Sequence, residues 1–255
     1  AYIEKANETR ENPIRVFSAP GSNADSVADY ILLALCHVTG GDAGPLESRS
    51  LGIIGCGNCG SRVAKRARGV GMEVLLNDPP RAAREADFPS RPVEDVLQAD
   101  FVTCHVPLTH EAESRWPTYH MIGSEQLEQM RPSSWFFNSS RGAVVNSPDL
   151  AEALAEDGVA GAVLDVYEGE PEPPEELIAR PEIATPHIAG YAVEGKRRGA
   201  VVIYEQTCEA LGEEPVPTGE LLTRGFDPPA GQAVEFQTRG EAALDADNAI
   251  RSLLK

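Results

Sequence analysis

Chemistry in this sequence would begin at a glycine-rich hexad, Gly55-Cys56-Gly57-Asn58-Cys59-Gly60, spaced G-x-G-x-x-G. Alone that spacing is a weak sign. Here it follows the apolar run 51–54, opens a helical pattern, and precedes Asp78 at the end of the next apolar run. In that setting each part has a task. Gly55 permits a tight turn, Gly57 lets the backbone approach a pyrophosphate, and Gly60 allows a helix to pack closely on a strand. The N-terminus of the helix that follows offers unpaired N–H groups and the positive end of a dipole to phosphates, and Asn58 and Cys59 join the three glycines as candidate cofactor-binding residues. A carboxylate at Asp78 would accept from adenosine ribose hydroxyls and repel a 2′-phosphate, favouring NAD over NADP, and Arg81 nearby softens that preference. A glycine turn without a ligand is the bland alternative. Cys56 and Cys59 also spell C-x-x-C, a redox or zinc signature, but no second cysteine pair or paired histidine lies near. We therefore assign no metal.

Three further polar positions fall where apolar runs end. Arg141, in Asn138-Ser139-Ser140-Arg141-Gly142, carries a guanidinium that can clamp a carboxylate through two parallel hydrogen bonds, as a lysine cannot. An acidic stretch runs from Asp165 to Glu170, and His187 stands in Thr185-Pro186-His187-Ile188-Ala189-Gly190-Tyr191. A lone loop histidine is ordinarily a satisfied surface residue, and a lone arginine a solvated charge. A histidine that meets a carboxylate is different, because the pair fixes its tautomer and lifts its pKa toward working pH.

The elements that must position these residues alternate in type. Short apolar strands are expected at 51–54, 73–77, 101–105, 135–138, 161–166 and 182–185, with amphipathic helices at 60–69, 92–98, 124–130 and 148–157. This alternation predicts an α/β fold, a doubly wound parallel sheet of Rossmann type with helices on both faces. Right-handed crossovers bring every strand's C-terminal end, and so every candidate residue, to one edge. Upstream, Asn23 stands as N-cap before a stripe of Ala24, Val27, Ala28, Ile31, Leu32 and Leu35, closed by Gly40-Gly41. A long helix is predicted over 193–211, a loose Pro- and Gly-rich linker over 213–240, and a short helix over 241–255.

Of 255 residues, 40 are acidic and 22 basic, for a formal charge of -18. That balance disfavours nucleic acid and anionic membrane surfaces as partners. No apolar run approaches the roughly 18 residues that span a bilayer. The basic residues are 18 Arg against only 4 Lys, and an acidic, lysine-poor surface suggests a protein kept soluble in high salt. The five cysteines, at 36, 56, 59, 104 and 208, are too few for a disulfide framework and read as reduced thiols of a cytoplasmic protein.

Taken in order, these motifs resemble those of the D-isomer-specific 2-hydroxyacid dehydrogenases, from about Pro20 through Leu211. The resemblance implies an NAD-dependent oxidoreductase in which Arg141, Glu170 and His187 are catalytic. Asp165 and Gly190 would then lie against the cofactor, and Arg141 and Tyr191 against the substrate. Segments such as Pro20-Gly21-Ser22-Asn23-Ala24, Asp78-Pro79-Pro80-Arg81-Ala82 and His187-Ile188-Ala189-Gly190-Tyr191 are similar to the branch of vitamin B6 biosynthesis that oxidises 4-phospho-D-erythronate. A phosphorylated 2-hydroxy acid is thus the expected substrate, with 3-phosphoglycerate or another 2-hydroxy acid as alternatives and an NAD-sensing corepressor-like scaffold as the alternative of another class. Where family members often carry a Thr toward the cofactor, this chain has Val106. Family members also have a second domain ahead of the Asn23 helix and a longer C-terminal dimerisation region. The expected organisation is therefore a substrate-domain remnant at 1–20, the NAD-binding domain at 21–190, a bridging helix at 191–211, and a linker with a dimerisation-like tail at 212–255. The resemblance implies a homodimer for the full-length protein. The chain begins at Ala1, and an N-terminally truncated form is expected.

Overall fold

The computed structural model describes residues 14–40 and 46–217, together with the backbone of 237–238. Helix α1 (Ala24–Val38) leads into strand β1 (Ser50–Ile54), and helix α2 (Asn58–Gly69) returns to strand β2 (Glu73–Asn77). Two short helices, α3 (Pro79–Ala82) and α4 (Val93–Leu97), precede strand β3 (Phe101–Cys104). Then follow α5 (Ser124–Gln129), β4 (Trp135–Asn138), α6 (Ser147–Ala155), β5 (Gly161–Leu164), α7 (Glu175–Ala179), β6 (Ile183–Ala184) and the long α8 (Val193–Leu211). The sheet order is β2-β1-β3-β4-β5-β6-β7, parallel through β6, with β7 (Gln237–Thr238) added antiparallel. The chain leaves β1 in one direction for β2 and crosses back to the other side for β3. A crevice therefore opens at the C-terminal ends of β1 and β3, where a doubly wound sheet takes ligands.

Strand periodicity explains the two cores. In β1, Leu51 and Ile53 join α1 and α2 residues such as Ile31, Leu35, Val63 and Ala67 on one face, while Ile54 meets the opposite face. There it joins Val102, Phe136 and Leu164, covered by Val96 and Leu97 of α4, Leu127 of α5, Leu150 of α6 and Leu177 of α7. The strands are buried on both sides, which is why they read as near-continuous apolar runs. At Gly52 a Cβ would stand 2.8 Å from Val96 Cγ1, so the missing side chain lets α4 lie directly on β1.

The structure corrects the sequence reading in places. Asn23 occupies the cap position of α1 but makes no side-chain cap bond; its side chain instead fills the space a Cβ on Gly190 would need. The C-terminal end of α1 is as expected: after the C-cap Thr39, whose hydroxyl donates to the carbonyls of Leu35 and Cys36, Gly40 turns left-handed at φ +73° and stops the helix. Within the expected linker, Gln237 and Thr238 pair with Ala184 and Ile183. Residues 14–18 run beside α8, where Gln206 exchanges hydrogen bonds with the Ser18 backbone and Arg15 donates to the Ala210 carbonyl. The expected helix at 241–255 and the first 13 residues lie outside the described residues. Among the described residues no helix is long and apolar enough to cross a membrane.

Candidate active site

The glycine loop is held from below and open above. Gly55 has φ +88°, and a Cβ there would press on Val106 Cγ1 at 2.6 Å and the His105 carbonyl at 2.7 Å. A Cβ on Gly60 would fall on the Gly55 carbonyl, whereas one on Gly57 would meet nothing within 4 Å. The loop thus closes against β1 and β3 and presents bare backbone at Gly57, with the α2 N-terminus behind it. That cradle fits a dinucleotide pyrophosphate. Asp78 reaches back to it: one carboxylate oxygen accepts from the Cys56 N–H at 2.7 Å, and the other caps α3 through the Arg81 N–H at 2.8 Å. Arg81 is itself engaged, donating to the Cys56 carbonyl, Ser61 and Glu85 and lying 4.4 Å over the Phe88 ring. All five cysteines are free thiols. Burial pushes Cys56 up to about 12 and raises Cys59 as well, so neither carries the low-pKa thiolate that a redox motif needs. Asn58 is exposed at the first turn, its side chain lying where a Cβ on Gly21 would stand.

Three adjacent strands deliver the polar residues. Arg141 follows β4, Glu170 follows β5 and His187 follows β6. Arg141 is exposed, with one guanidinium nitrogen donating to the Ser140 carbonyl at 2.6 Å. Its positive charge reaches Cys59 at the head of α2, opposing the upward push of burial on that thiol. Gly142 lets this turn lie directly on the Tyr167–Glu168 backbone, with no room for a Cβ.

His187 Nδ1 stands 2.9 Å from Glu170 Oε2, and the other Glu170 oxygen accepts from the Tyr167 N–H at 2.7 Å. An ionised carboxylate only accepts, so Nδ1–H is the donor of this bond, and in the neutral imidazole that leaves the lone pair on Nε2. His187 adopts φ +57°, an unusual left-handed conformation for a non-glycine residue. Asp165 holds it there. The carboxylate, 1% exposed, accepts from Thr185 Oγ1 at 2.6 Å, the Ile188 N–H at 2.7 Å and the Ala189 N–H at 2.8 Å. Burial raises its pKa against the pull of those bonds. Because the Thr185 hydroxyl proton points to Asp165, the Tyr30 hydroxyl of α1 donates to Thr185 at 2.7 Å. A cavity of about 490 Å³ opens beside the pair, lined by Tyr167, Pro173, Ile178 and Thr185 as well as Glu170 and His187.

The arrangement meets its relatives at this point. Residues 40–189 match the sequence profile of the D-isomer specific 2-hydroxyacid dehydrogenase NAD binding domain. The chain belongs to this family. The erythronate-4-phosphate dehydrogenase of Salinibacter ruber is 50% identical over 201 residues, covering 77% of this chain and 51% of that protein. That of Azotobacter vinelandii is 44% identical over 221 residues, 86% of this chain and 57% of that one. The chain thus spans about half the length of the curated relatives it matches. Among solved structures, the TT0316 protein of Thermus thermophilus superposes with a TM-score of 0.66 at 32% identity, over 81% of this chain and 71% of that one. The matched NAD binding domain, residues 40–189, includes the cradle described above.

Two features of the site escape the sequence reading. The anchoring role of Asp165 has no local signature, since its donors lie 20 to 24 residues away. A second histidine–carboxylate pair, His120 with Glu168 at 2.6 Å, lies on the neighbouring loops; only the position of Glu168 in the acidic stretch hints at it.

Proposed function

We propose that the protein carrying this chain oxidises a phosphorylated D-2-hydroxy acid, 4-phospho-D-erythronate, with NAD, in the synthesis of pyridoxal phosphate. The observation that carries the reading is the His187–Glu170 pair at the same sheet edge as Arg141 and the glycine loop. His187 Nε2 would take the hydroxyl proton from C2, while Glu170 stabilises the resulting imidazolium. Arg141 would hold the substrate carboxylate and polarise the developing carbonyl. The cofactor, when bound, supplies the hydride acceptor. Its pyrophosphate would rest on Gly55, Gly57, Asn58, Cys59 and Gly60, its ribose hydroxyls on Asp78, and its nicotinamide end near Asp165 and Gly190. Tyr191, 71% exposed with Lys196 Nζ 3.1 Å over its ring, would face the substrate.

Residues 21–190 form the nucleotide-binding unit of this reading, with α8 as the bridge to a substrate-binding part. The strong likeness to erythronate-4-phosphate dehydrogenases favours 4-phospho-D-erythronate over 3-phosphoglycerate. A cytoplasmic homodimer fits the five free thiols and the family. The test is NADH formation from each phosphorylated acid by the full-length protein. Replacing His187 with Gln is expected to lower kcat at least about 100-fold while NAD affinity stays within about twofold. Turnover of neither acid by the parent would overturn the reading, and partner binding without turnover would favour the scaffold.

A further inference from the structure

The His120–Glu168 pair is used by no step above, yet it joins the loop after β3 and the turn that carries Arg141 to the loop that carries Glu170. His120 ends the long loop after β3, and Glu168 lies two residues before Glu170 on the loop after β5. Nε2 of His120 and a carboxylate oxygen of Glu168 are 2.6 Å apart, both side chains little more than a quarter exposed. Burial pushes the Glu168 pKa up, but His120 and Ser147, at the head of α6, favour its charged form and lower it overall. The His120 backbone N–H donates to the Ala143 carbonyl at 2.8 Å, and Ile122 pairs with Val144 and Asn146 directly downstream. Those residues belong to the turn that carries Arg141. Tyr119 stacks on the His120 ring at 3.9 Å and 18°, and the His110 ring lies 4.9 Å from that of Tyr119, tilted by 35°.

The backbone adds an independent sign. His120 sits at φ +50°, a left-handed conformation that is easy for glycine and uncommon for any other residue. Strain of this kind persists when surrounding contacts over-determine it, and it gathers at sites that need a fixed geometry. The Arg141 turn also has no slack against its neighbour, because Gly142 lies on the Tyr167–Glu168 backbone itself. A shift of Glu168 must therefore move both loops.

We infer that His120 and Glu168 form a positioning clamp, setting the Arg141 turn and the Glu170 loop at fixed separation so that Glu170 meets His187 Nδ1. Neither residue touches the reacting atoms; both act through Arg141 and Glu170. The inference rests on the proposed function only for its kinetic consequence. The geometric consequence, a fixed His187 tautomer, stands without it.

The test uses four variants. Glu168→Gln removes the carboxylate acceptor and His120→Leu the imidazole. His120→Gly removes it while relieving the left-handed backbone, which separates positioning from stability. His120→Gln keeps an N–H donor at the reach of Nε2. In the full-length protein, the first three are expected to lose roughly 10- to 100-fold in kcat, with the KM for NAD within about twofold, since misplacement by about 1 Å costs that much. His120→Gly is expected to melt close to the parent, and His120→Gln to recover most of the rate. In the chain itself, imidazole ¹⁵N shifts are expected to show His187 as the Nδ1–H tautomer in the parent and a mixture in Glu168→Gln. Unchanged kcat and an unchanged tautomer would overturn the clamp, as would rate losses that follow melting temperature across all four variants. A tautomer change in a parent that turns over no 2-hydroxy acid would sustain the clamp and overturn the proposed function instead.

Discussion

Replacing Asp165 with Asn tests the anchoring of the His187 loop most directly. The side chain keeps its shape and loses one acceptor. Its best orientation leaves the oxygen facing Thr185 Oγ1 and the Ile188 N–H, and turns the amide NH₂ toward the Ala189 N–H, which the native carboxylate meets at 2.8 Å. Two donors then face each other at a site 1% exposed. An orphaned buried donor costs about 1–3 kcal/mol. Part is returned, because a neutral amide does not bear the buried charge that raises the Asp165 pKa. We expect a net loss of about 1–2 kcal/mol, which for a unit of this size lowers the melting temperature by roughly 2–8 °C. The assay is thermal and urea unfolding of the chain at about pH 7, run with Thr185→Val and the double variant. Thr185→Val also strands the buried Tyr30 hydroxyl. The two changes share one network, so their costs should fail to add by about 0.5 kcal/mol or more. An Asp165→Asn variant as stable as the parent, or strictly additive costs, would refute the anchoring.

Other outcomes follow from separate parts of the structure. Gly57→Ala should leave stability within about 0.5 kcal/mol and weaken NADH binding at least tenfold, because its methyl enters the open side of the cradle. Gly60→Ala should cost about 1–3 kcal/mol, since its methyl lands on the Gly55 carbonyl; fluorescence titration and unfolding of both variants check the contrast. Burial opposes the charge of Asp100, but the Ser50 N–H and hydroxyl, Arg131 and Arg49 outweigh it and hold the carboxyl below its usual range. A depressed carboxyl stabilises the fold above its unfolded pKa and loses that contribution as pH falls through the folded value. Asp100→Asn should therefore cost about 1.5–3 kcal/mol at pH 7, with the gap closing below about pH 4. A gap equal at about pH 7 and about pH 3 would contradict this. The acidic, lysine-poor composition predicts a folding yield that rises toward molar KCl, and a flat yield would remove that reading.

The framework is legible because its signals are local. The strands of a parallel sheet are apolar on both faces, so 73–77 and 135–138 can be read to the residue, and the glycine hexad carries its geometry in its spacing. Three βα ends supply Arg141, Glu170 and His187 for the same reason. What stays hidden depends on distance or on short-range competition. Asn23 has a good capping residue type, but the tight approach of Gly190 takes its side chain away from the helix. Helix α7 has only five residues in a Pro- and Glu-rich stretch, too short for a periodicity to show. Strand β7 owes its existence to the open edge of β6 rather than to its own residues. His120 looks like any loop histidine because its partner stands 48 positions away.

The hydrogen bond from Tyr30 to Thr185 spans 155 positions of sequence. Between those two residues lie all six parallel strands, each of which must dock before the ends can meet. Closing so long a loop carries an entropic cost that only the assembled sheet offsets. During synthesis, the first helix must therefore wait for nearly the whole nucleotide-binding unit to leave the ribosome before its tyrosine finds a partner. The loop of His187 thus comes late, and its hydrogen bond to Glu170 can form only after the residues of the glycine cradle have long been made.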